Sequence, residues 1–220
     1  MPMAGSSPIG LDFVTKLKDV YSVLNRDEDE RLMAEIHSLI EFSMDRRNPT
    51  HKILERVSRL IVKNFEFKSV SIGLRTEDSM YRYVAFAGHT KESEDALRLQ
   101  RYDLSDMIDY DKYPNIRIGA IAQYNPVEGF PDRKDELVGH QIPELPKSPR
   151  MNLNEFMPGD YIDFYMHGFE GKLIAWIELS GTKDGRLPSR ESIRWIEIIS
   201  DICAVLIQLR MRTERDDARA

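Results

Sequence analysis

A chain of 220 residues is long enough to bury the core of one domain with attached helices, or of two small domains. Its content of 41% hydrophobic and 31% charged residues is typical of a soluble globular protein. The formal net charge of -6 argues against a protein that binds nucleic acid through its phosphates, because such binding depends on clustered lysine and arginine.

The cysteine content and the lengths of the apolar runs indicate where in the cell this chain is expected to be. Cys203 is the single cysteine, so the chain can form neither an intrachain disulfide nor a cysteine-based metal cluster, and a reducing cytoplasm is expected. Residues 1–10 have neither the basic start nor the apolar core of a signal peptide, and we interpret them as a mobile tail. No stretch reaches the roughly 20 apolar residues that span a bilayer, so no membrane association is expected.

The first third of the chain contains three stretches in which apolar residues recur every three or four positions, the pattern of an amphipathic helix. The first covers residues 11–26. The second is expected to begin near Asp27 and Glu30, which have the spacing of a capping box, and to end near Asp45. Thr50 follows a proline break and is expected to cap the third helix.

Apolar and polar residues alternate with a period of two in several later segments, which predicts strands. Residues 69–75 and 80–88 are expected to pair as an antiparallel hairpin through a short turn. Residues 160–167 and 172–181 are expected to form a second hairpin, joined by a turn with glycine at both ends. A further strand is predicted over residues 116–124.

The long segment between the two hairpins, residues 89–158, holds seven of the eleven prolines. Proline restricts the backbone, so we expect this insert to form a fixed and irregular cover over one face of the sheet. A short helix over residues 91–101 is predicted within it. Long loops in compact domains are often binding lids, so the insert is the first place to seek a function.

A long apolar helix ends the chain, with Ser189 as its predicted N-cap. Its apolar residues, from Ile193 to Leu209, cover too wide an arc for one contact with a sheet. Either the helix is deeply buried or a second surface of it meets another helix. We expect the second, in a homodimer in which residues 11–24 also take part. Residues 209–220 are predicted to form a polar tail.

The alternation also predicts two different faces of the sheet. One is uniformly apolar and includes Leu173, whereas the other mixes polar, aromatic and small residues and includes Ile174. A mixed face is typical of ligand pockets and also of ordinary solvated sheets. The candidate ligand-binding residues are Ser71, Arg75, Tyr83, Tyr124, Asp163, Tyr165, Trp176 and Glu178.

Each specific candidate also has a purely structural interpretation. Trp176 could stack on a ligand, and a tryptophan buried in the core is an equally good interpretation. Asp163 and Glu178 are expected to be neighbours, but no nucleophile or cofactor motif accompanies them, so no catalytic residue is predicted. His89, His140 and His167 share no ligand spacing, so no metal site is predicted and the cofactor is unknown.

Two adjacent motifs mark the end of the predicted sheet. The strand sequence GKLIAWIEL, residues 171–179, is followed by DGRLPSRE, residues 184–191, which leads into the final helix. Together with the order of elements, these motifs resemble a GAF domain over residues 29–208. The resemblance implies an α+β, GAF/PAS-like fold: a roughly six-stranded antiparallel sheet with helices on one face and a ligand pocket under the insert on the other.

The resemblance implies a sensor or pairing domain of a signalling protein. The chain lacks the Asn-Lys-Phe-Asp-Glu type motif of cyclic-nucleotide-binding members, and its cysteine lies in a helix, which disfavours bilin attachment and the methionine sulfoxide reductase branch. The leading hypothesis is a non-enzymatic sensor that binds an unknown small molecule, forms a homodimer and acts on a downstream signalling protein. The alternative is a dimerisation or interaction module whose pocket is filled by its own side chains, and a reductase comes third.

Overall fold

Six antiparallel strands form one sheet in this computed structural model, which describes residues 28–107, 115–129 and 150–217. The strands are β1 (Phe67–Arg75), β2 (Tyr81–Ala87), β3 (Ile116–Arg117), β4 (Ala122–Asn125), β5 (Tyr161–His167) and β6 (Leu173–Thr182). Their order across the sheet is β2-β1-β6-β5-β4-β3, so pairing of β1 with β6 joins the two predicted hairpins. The predicted α+β class with a six-stranded antiparallel sheet is confirmed.

Five α-helices and a 3-10 turn at Val127–Gly129 accompany the sheet in the described part of the chain. The α-helices are α1 (Glu28–Met44), α2 (Thr50–Asn64), α3 (Lys91–Leu99), α4 (Leu104–Met107) and α5 (Arg190–Asp217). Helices α2 and α5 pack on the apolar face of the sheet, which we call the first or helix-covered face, and α1 packs on α2. The opposite face, with the mixed side chains, is the second face. The apolar stripe of α2 and one side of α5, from Ile193 to Ile207, are buried there, on the helix-covered face, which gives this face its core.

The helix ends show which capping predictions hold. Ser189 caps α5, because its Oγ accepts a hydrogen bond from the backbone N–H of Ser192 at 3.0 Å. The prediction for Thr50 is wrong: Pro49 occupies the N-cap position, with no side-chain cap, and Thr50 is the first helical residue. The Pro49 carbonyl accepts from the Lys52 N–H at 2.9 Å, as the first turn requires.

Helix α5 is longer than predicted, since residues 209–217 continue it where a polar tail was expected. This stretch contains neither glycine nor proline, so nothing in it interrupts a helix. The Arg210 guanidinium donates to the Ser43 carbonyl at 2.8 Å and the Arg46 carbonyl at 3.1 Å, at the end of α1. Arg212 lies over the ring of Phe169 at 4.8 Å. These contacts stabilise the added turns.

The predicted faces of β6 are wrong at two positions. A register shift lies between Met166 and His167, and Leu173 pairs with His167. Leu173 therefore joins an aromatic cluster on the second face, whereas Ile174 joins the core on the helix-covered face. A bulge of one residue reverses the side to which later side chains point, and no period-two pattern reveals it.

The single strand predicted over residues 116–124 is also wrong, because the structure has two short strands that pair with each other. The turn between them contains Gly119, where a Cβ would lie 2.2 Å from the Glu197 carboxylate of α5. Glu197 also accepts the Ile121 N–H at 2.9 Å. The insert thus adds β3 and β4 to the edge of the sheet, as well as covering part of its second face with α3.

Several predictions concern residues outside the described ranges. These are the tail at 1–10, the helix at 11–26, the capping role of Asp27 and the position of His140.

Candidate functional site

Polar side chains from four neighbouring strands form a line across the second face of the sheet. Gln123 pairs with Asp163, Asp163 pairs with Glu178, and Glu178 pairs with Ser71. Directly paired residues project to the same side of a sheet, so these four side chains are adjacent, and we name them the polar row. Ser71, Asp163 and Glu178 are buried, with 1%, 6% and 3% of their surfaces exposed.

Neutral groups hydrogen-bond the two carboxyls of the polar row. The Tyr83 hydroxyl donates to Glu178 Oε2 at 2.6 Å, and Asn125 Nδ2 donates to Asp163 Oδ2 at 3.2 Å. The Tyr165 hydroxyl lies 3.4 Å from Asp163 Oδ2 and 3.3 Å from the Met107 carbonyl oxygen, and it can donate to either. Tyr165 therefore links the polar row to α4.

The Ser71 end of the polar row is linked to the insert. Ser71 Oγ lies 3.0 Å from His89 Nε2, and His89 Nδ1 lies 3.1 Å from Ser93 Oγ in α3. Thr90 caps α3 by accepting the Ser93 N–H at 3.2 Å. The insert thus contacts both ends of the carboxyl pair, through His89 on one side and Met107 on the other.

Burial and mutual repulsion control the charge of the polar row. Burial first, and then the charge of Glu178, raise the pKa of Asp163 well above its ordinary range. Burial and the same carboxylate raise the pKa of Tyr83, which therefore remains a donor. No described residue donates a hydrogen bond to Asp163 Oδ1. Asp163 therefore holds a proton more tightly than an ordinary carboxyl does.

The Trp176 end of the second face is filled by aromatic side chains. The indole is 2% exposed and lies on Gly73, where a Cβ would come within 1.9 Å of the ring. Its centroid lies 5.0 Å from Tyr83, 6.1 Å from Tyr81 and 6.2 Å from Tyr102. The Tyr81 hydroxyl donates to a main-chain carbonyl of β6 at 2.9 Å. This arrangement matches the structural interpretation of Trp176 as a core residue.

Seven of the eight candidate residues lie on the second face, and Tyr124 does not. Arg75 pairs with Tyr81 at the end of β1, where its guanidinium donates to Ser79 Oγ at 3.0 Å. Tyr124 lies on the helix-covered face, with its ring edge-on to Phe156 at 5.7 Å. Gln123 and Asn125 flank Tyr124 in β4, so alternation places these two side chains on the second face. Sequence reasoning missed both, although period two in a correctly bounded strand would have identified them.

A third buried carboxyl group, on Asp160, lies just before β5, close to the end of β4. Arg150 donates to its two oxygens at 2.8 and 2.9 Å, and the main-chain N–H groups of Val127 and Met157 donate at 2.9 and 2.6 Å. The Tyr124 hydroxyl donates as well. Arg150 also binds the Glu128 carboxylate at 3.1 Å. These contacts connect three segments that are distant in sequence.

An open groove of about 630 Å³ lies beside Arg150, on the helix-covered side of the sheet. Its walls are mostly apolar and come from β3, β4, β5, the start of α5 and the loops beside them. The residues that line it are Ile116, Ile118, Tyr124, Pro126, Glu128, Arg150, Leu153, Ile162, Leu187, Pro188, Arg190 and Ile193. Because these segments are far apart in the chain, no local pattern predicts the groove.

Helix α5 carries apolar residues on the side that faces away from the sheet. Ile198, Val205 and Leu209 are 48%, 45% and 47% exposed, and Trp195 and Ile202 between them are half-buried. The five recur every three or four residues, so they lie along one side of the helix over about four turns. We name them the apolar stripe.

The described ranges were also searched for a metal site, a reactive cysteine and a membrane-spanning helix. No three histidine, cysteine or carboxylate side chains there are grouped so that they could hold a metal ion. Burial raises the pKa of the Cys203 thiol to about 12, so it is not a thiolate at neutral pH. Among the helices that the structure describes, none is long and apolar enough to cross a membrane.

No family model matches this chain, and no curated protein is similar to it in sequence. Solved structures are similar to it in fold. The GAF domain of a phosphoenolpyruvate-protein phosphotransferase from Coxiella burnetii is 10% identical with a TM-score of 0.52, and the match covers 84% of this chain and 96% of that one. A phycoerythrobilin-bound GAF domain from a cyanobacterial phytochrome is 12% identical with a TM-score of 0.51, covering 86% and 99%.

A GAF domain/HD domain protein from Geobacter sulfurreducens is 10% identical with a TM-score of 0.50, and the match covers 74% of this chain and 94% of that one. Identities this low carry information about the fold and none about the ligand. The described parts of the chain therefore have the fold of a GAF domain, as the motifs at residues 171–191 predicted.

Proposed function

We propose that this chain is a non-catalytic regulatory domain of the cytoplasm that works as a homodimer, whose two copies meet along the apolar stripe of α5. The observation that carries the proposal is the exposure of Ile198, Val205 and Leu209, each close to half. Apolar side chains aligned over several turns of a helix are suited to pack lengthwise against a second helix. An exposed apolar surface of this kind marks a contact with another chain.

The size of the stripe indicates a weak dimer unless other residues contribute. Complete burial of a Val, Leu or Ile side chain stabilises by roughly 1.5–3 kcal/mol, so three half-exposed residues on each of two copies supply roughly 4–9 kcal/mol. Association costs roughly 4–15 kcal/mol in lost freedom of motion. Residues 11–24, whose pattern predicts an amphipathic helix, are the proposed source of further contact area.

Light scattering and analytical ultracentrifugation over a range of protein concentrations test the dimer. The parent chain is expected to reach the dimer mass in the micromolar range, and the double variant Ile198→Glu and Val205→Glu is expected to remain monomeric. Leu99→Glu, at an apolar residue that is 81% exposed elsewhere on the surface, is the matched control and should not change the mass. A parent chain that is monomeric throughout would refute the proposal.

A second candidate function is the sensing of a small molecule on the second face of the sheet, under the insert. The observation that favours it is the polar row, in which Asp163 Oδ1 is buried and accepts no hydrogen bond from a described residue. Buried acceptors of this kind call for a donor. Ser71, Tyr83, Tyr165 and Glu178 surround the same place, so the proposed ligand presents N–H or O–H donors and no negative charge.

Native mass spectrometry of the purified chain and thermal shifts against a metabolite panel test this candidate. A bound mass, or a shift that Asp163→Asn removes, would support it. If neither is found, the second face is filled by its own side chains, as Trp176 already is, and the chain is an interaction module. Because GAF domains of a phosphotransferase and of a phytochrome share the fold, we propose that it acts through a downstream signalling protein.

The same geometry supports a non-catalytic domain. A reductase of the GAF fold would need a reactive thiolate, whereas Cys203 is fully buried in α5 and its thiol keeps its proton. The two carboxyls of the polar row accept hydrogen bonds from a tyrosine hydroxyl and an amide, which are neutral donors of the kind that line binding faces.

A further inference from the structure

We propose that the two copies of the homodimer pair antiparallel along the apolar stripe of α5, and that Phe169 of each copy inserts into a depression at the start of α5 in the other copy. The pairing rests on the proposed dimer. It adds to that dimer the orientation of the two helices and a contact made by the turn between β5 and β6.

An open depression of about 540 Å³ lies at the start of the apolar stripe. Its walls are an indole, an isoleucine and three charged side chains. The residues that line it are Arg190, Glu191, Arg194, Trp195 and Ile198. Trp195 and Ile198 belong to the stripe, so the depression opens on the side of α5 that faces away from the sheet. Aromatic rings pack well against an indole and stack on guanidinium groups, so a phenyl ring suits these walls.

Phe169 is an exposed aromatic residue at the other end of the stripe. It lies in the turn between β5 and β6, and 56% of its surface is exposed. Its N–H donates to Gln208 Oε1 at 2.7 Å, and its ring lies 4.8 Å from the Arg212 guanidinium. The turn is therefore fastened to α5 beside Leu209, the last residue of the stripe. A side chain that is already held in place loses little conformational freedom on binding.

Antiparallel pairing brings the depression and Phe169 together. The stripe runs from residue 195 to residue 209, a length of about 21 Å at 1.5 Å per residue. When the helices cross near its centre, between residues 201 and 202, residue 198 of one copy is level with residue 205 of the other. Residues 208–212 are then level with residues 191–195 of the partner. Phe169, which lies beside residues 208–212, therefore reaches the level of the partner's depression.

The lateral position of Phe169 favours the same orientation. Arg190 and Gln208 are about five full turns apart on α5, so they project from the same flank of the helix. Arg190 lines the depression, and Gln208 holds the turn that carries Phe169. A two-fold axis perpendicular to both helices keeps equivalent flanks on the same side of the interface. Parallel pairing would instead put Phe169 and the partner's depression on opposite sides and at opposite ends of the stripe.

Charges at the two ends of the stripe also favour antiparallel pairing. Glu191 and Arg212 are both exposed. Antiparallel pairing sets each Glu191 level with the partner's Arg212, whereas parallel pairing sets it level with the partner's Glu191. Like charges placed together are unfavourable, so charge complementarity selects the orientation. Asp201 lies near the centre of the stripe and close to its own copy in both orientations, so it does not distinguish them.

Phe169→Ala tests the contact in the depression. Loss of the ring is expected to raise the dissociation constant of the dimer at least about tenfold in analytical ultracentrifugation, because aromatic anchors in pockets contribute most to binding. Leu99→Ala, at an apolar residue that is 81% exposed, is the matched control and should leave the dissociation constant unchanged. Equal dissociation constants for Phe169→Ala and the parent chain would overturn the proposal.

Reversal of the end charges tests the orientation. Glu191→Arg and Arg212→Glu are each expected to weaken the dimer by roughly two- to thirtyfold, because each replaces two pairs of opposite charges with two pairs of like charges. The double variant forms the pairs again with their signs exchanged, so it should dimerise more tightly than either single variant. A double variant that dimerises more weakly than both would contradict antiparallel pairing.

Cysteine cross-linking separates the orientation from the dimer itself. Ile198→Cys and Val205→Cys are made as separate chains, one with a longer affinity tag, and are oxidised alone and as a mixture. Antiparallel pairing brings position 198 of one chain level with position 205 of the other. The two copies of position 198 are then about 10.5 Å apart along the helix axis, beyond the Cα separation of about 7 Å that a disulfide spans. Cys203 is fully buried, and the parent chain serves as its control.

We expect a disulfide-linked dimer in the mixture and in neither variant alone. If each variant cross-links alone and the mixture yields no mixed dimer, the stripes pair in parallel: the proposed function stands and the orientation is overturned. If no sample cross-links although the parent chain has the dimer mass, the copies meet elsewhere and both proposals fail. A monomeric parent chain would refute the proposed function, and the orientation with it.

Discussion

Asp160 and Asp163 are three residues apart and equally hidden from water, yet their surroundings are opposite. Asp160 receives two hydrogen bonds from Arg150, two from main-chain N–H groups and one from Tyr124, so its charge is neutralised where it lies. Asp163 receives neutral donors on one oxygen and faces Glu178. A buried carboxylate that is paired with a cation stabilises the fold, whereas one whose pKa is raised by burial and by a second carboxyl makes stability depend on pH.

The largest expected effect breaks the compensated site. Arg150→Met leaves the Asp160 charge buried without its cation, and we expect the free energy of unfolding to fall by roughly 3–5 kcal/mol in urea denaturation. Arg47→Met removes a guanidinium from an exposed pair with Asp45 and should have no measurable effect. A loss below about 1 kcal/mol for Arg150→Met would show that the N–H groups and Tyr124 suffice to stabilise Asp160.

A second test compares the two sites across pH. The pKa of Asp163 is raised in the folded state, so the folded chain binds this proton more tightly than the unfolded chain. The stability contributed by this proton is fully present below the ordinary carboxyl pKa and is lost as pH rises through the raised value. The expected slope is at most about 1.4 kcal/mol per pH unit.

Urea denaturation of Asp163→Asn over the same pH range should show this slope removed and the stability near pH 8 increased. Asp160→Asn is the matched comparison, and it should lower stability, because it takes a charged partner from Arg150. Equal effects of the two substitutions would mean that the two carboxyls do not differ in the way described.

The smallest expected effect concerns the link between the polar row and α4. Tyr165→Phe removes the hydroxyl that reaches both Asp163 and Met107, and we expect a loss of roughly 0.5–1.5 kcal/mol together with faster hydrogen exchange at residues 102–107. Tyr161→Phe, in the same strand, provides a comparison for loss of a hydroxyl outside the polar row. No change in exchange would show that Tyr165 does not hold the insert.

Local patterns were sufficient for much of this architecture. The alternation of apolar and polar residues located both hairpins and placed Asp163 beside Glu178. Ser189, before the final helix, was correctly identified as its N-cap. Local patterns failed at Leu173, where a register shift of one residue reverses the face to which the side chain points. They also failed at β3 and β4, two short strands whose combined sequence resembles one strand. A local window cannot detect either event, because both depend on pairing with a distant strand.

The site itself was predictable in part. Residues of the second face came together because alternation places them there, whereas Tyr124 alternates with Gln123 and therefore lies on the other face. The Arg150–Asp160 contact and the 630 Å³ groove arise from the path of the insert, which has no periodicity. Proline content identified the insert as unusual and carried no information about what it touches.

The pairing of β1 with β6 lies inside the sheet and joins Phe67 to Thr182. During synthesis, the ribosome must deliver more than one hundred further residues after β1 before this partner exists. Until then the inner edge of β1 has no strand beside it, and edges of this kind readily pair with other nascent chains. Folding of this domain is therefore expected to be slow, and its yield to depend on what protects that edge while the chain is incomplete.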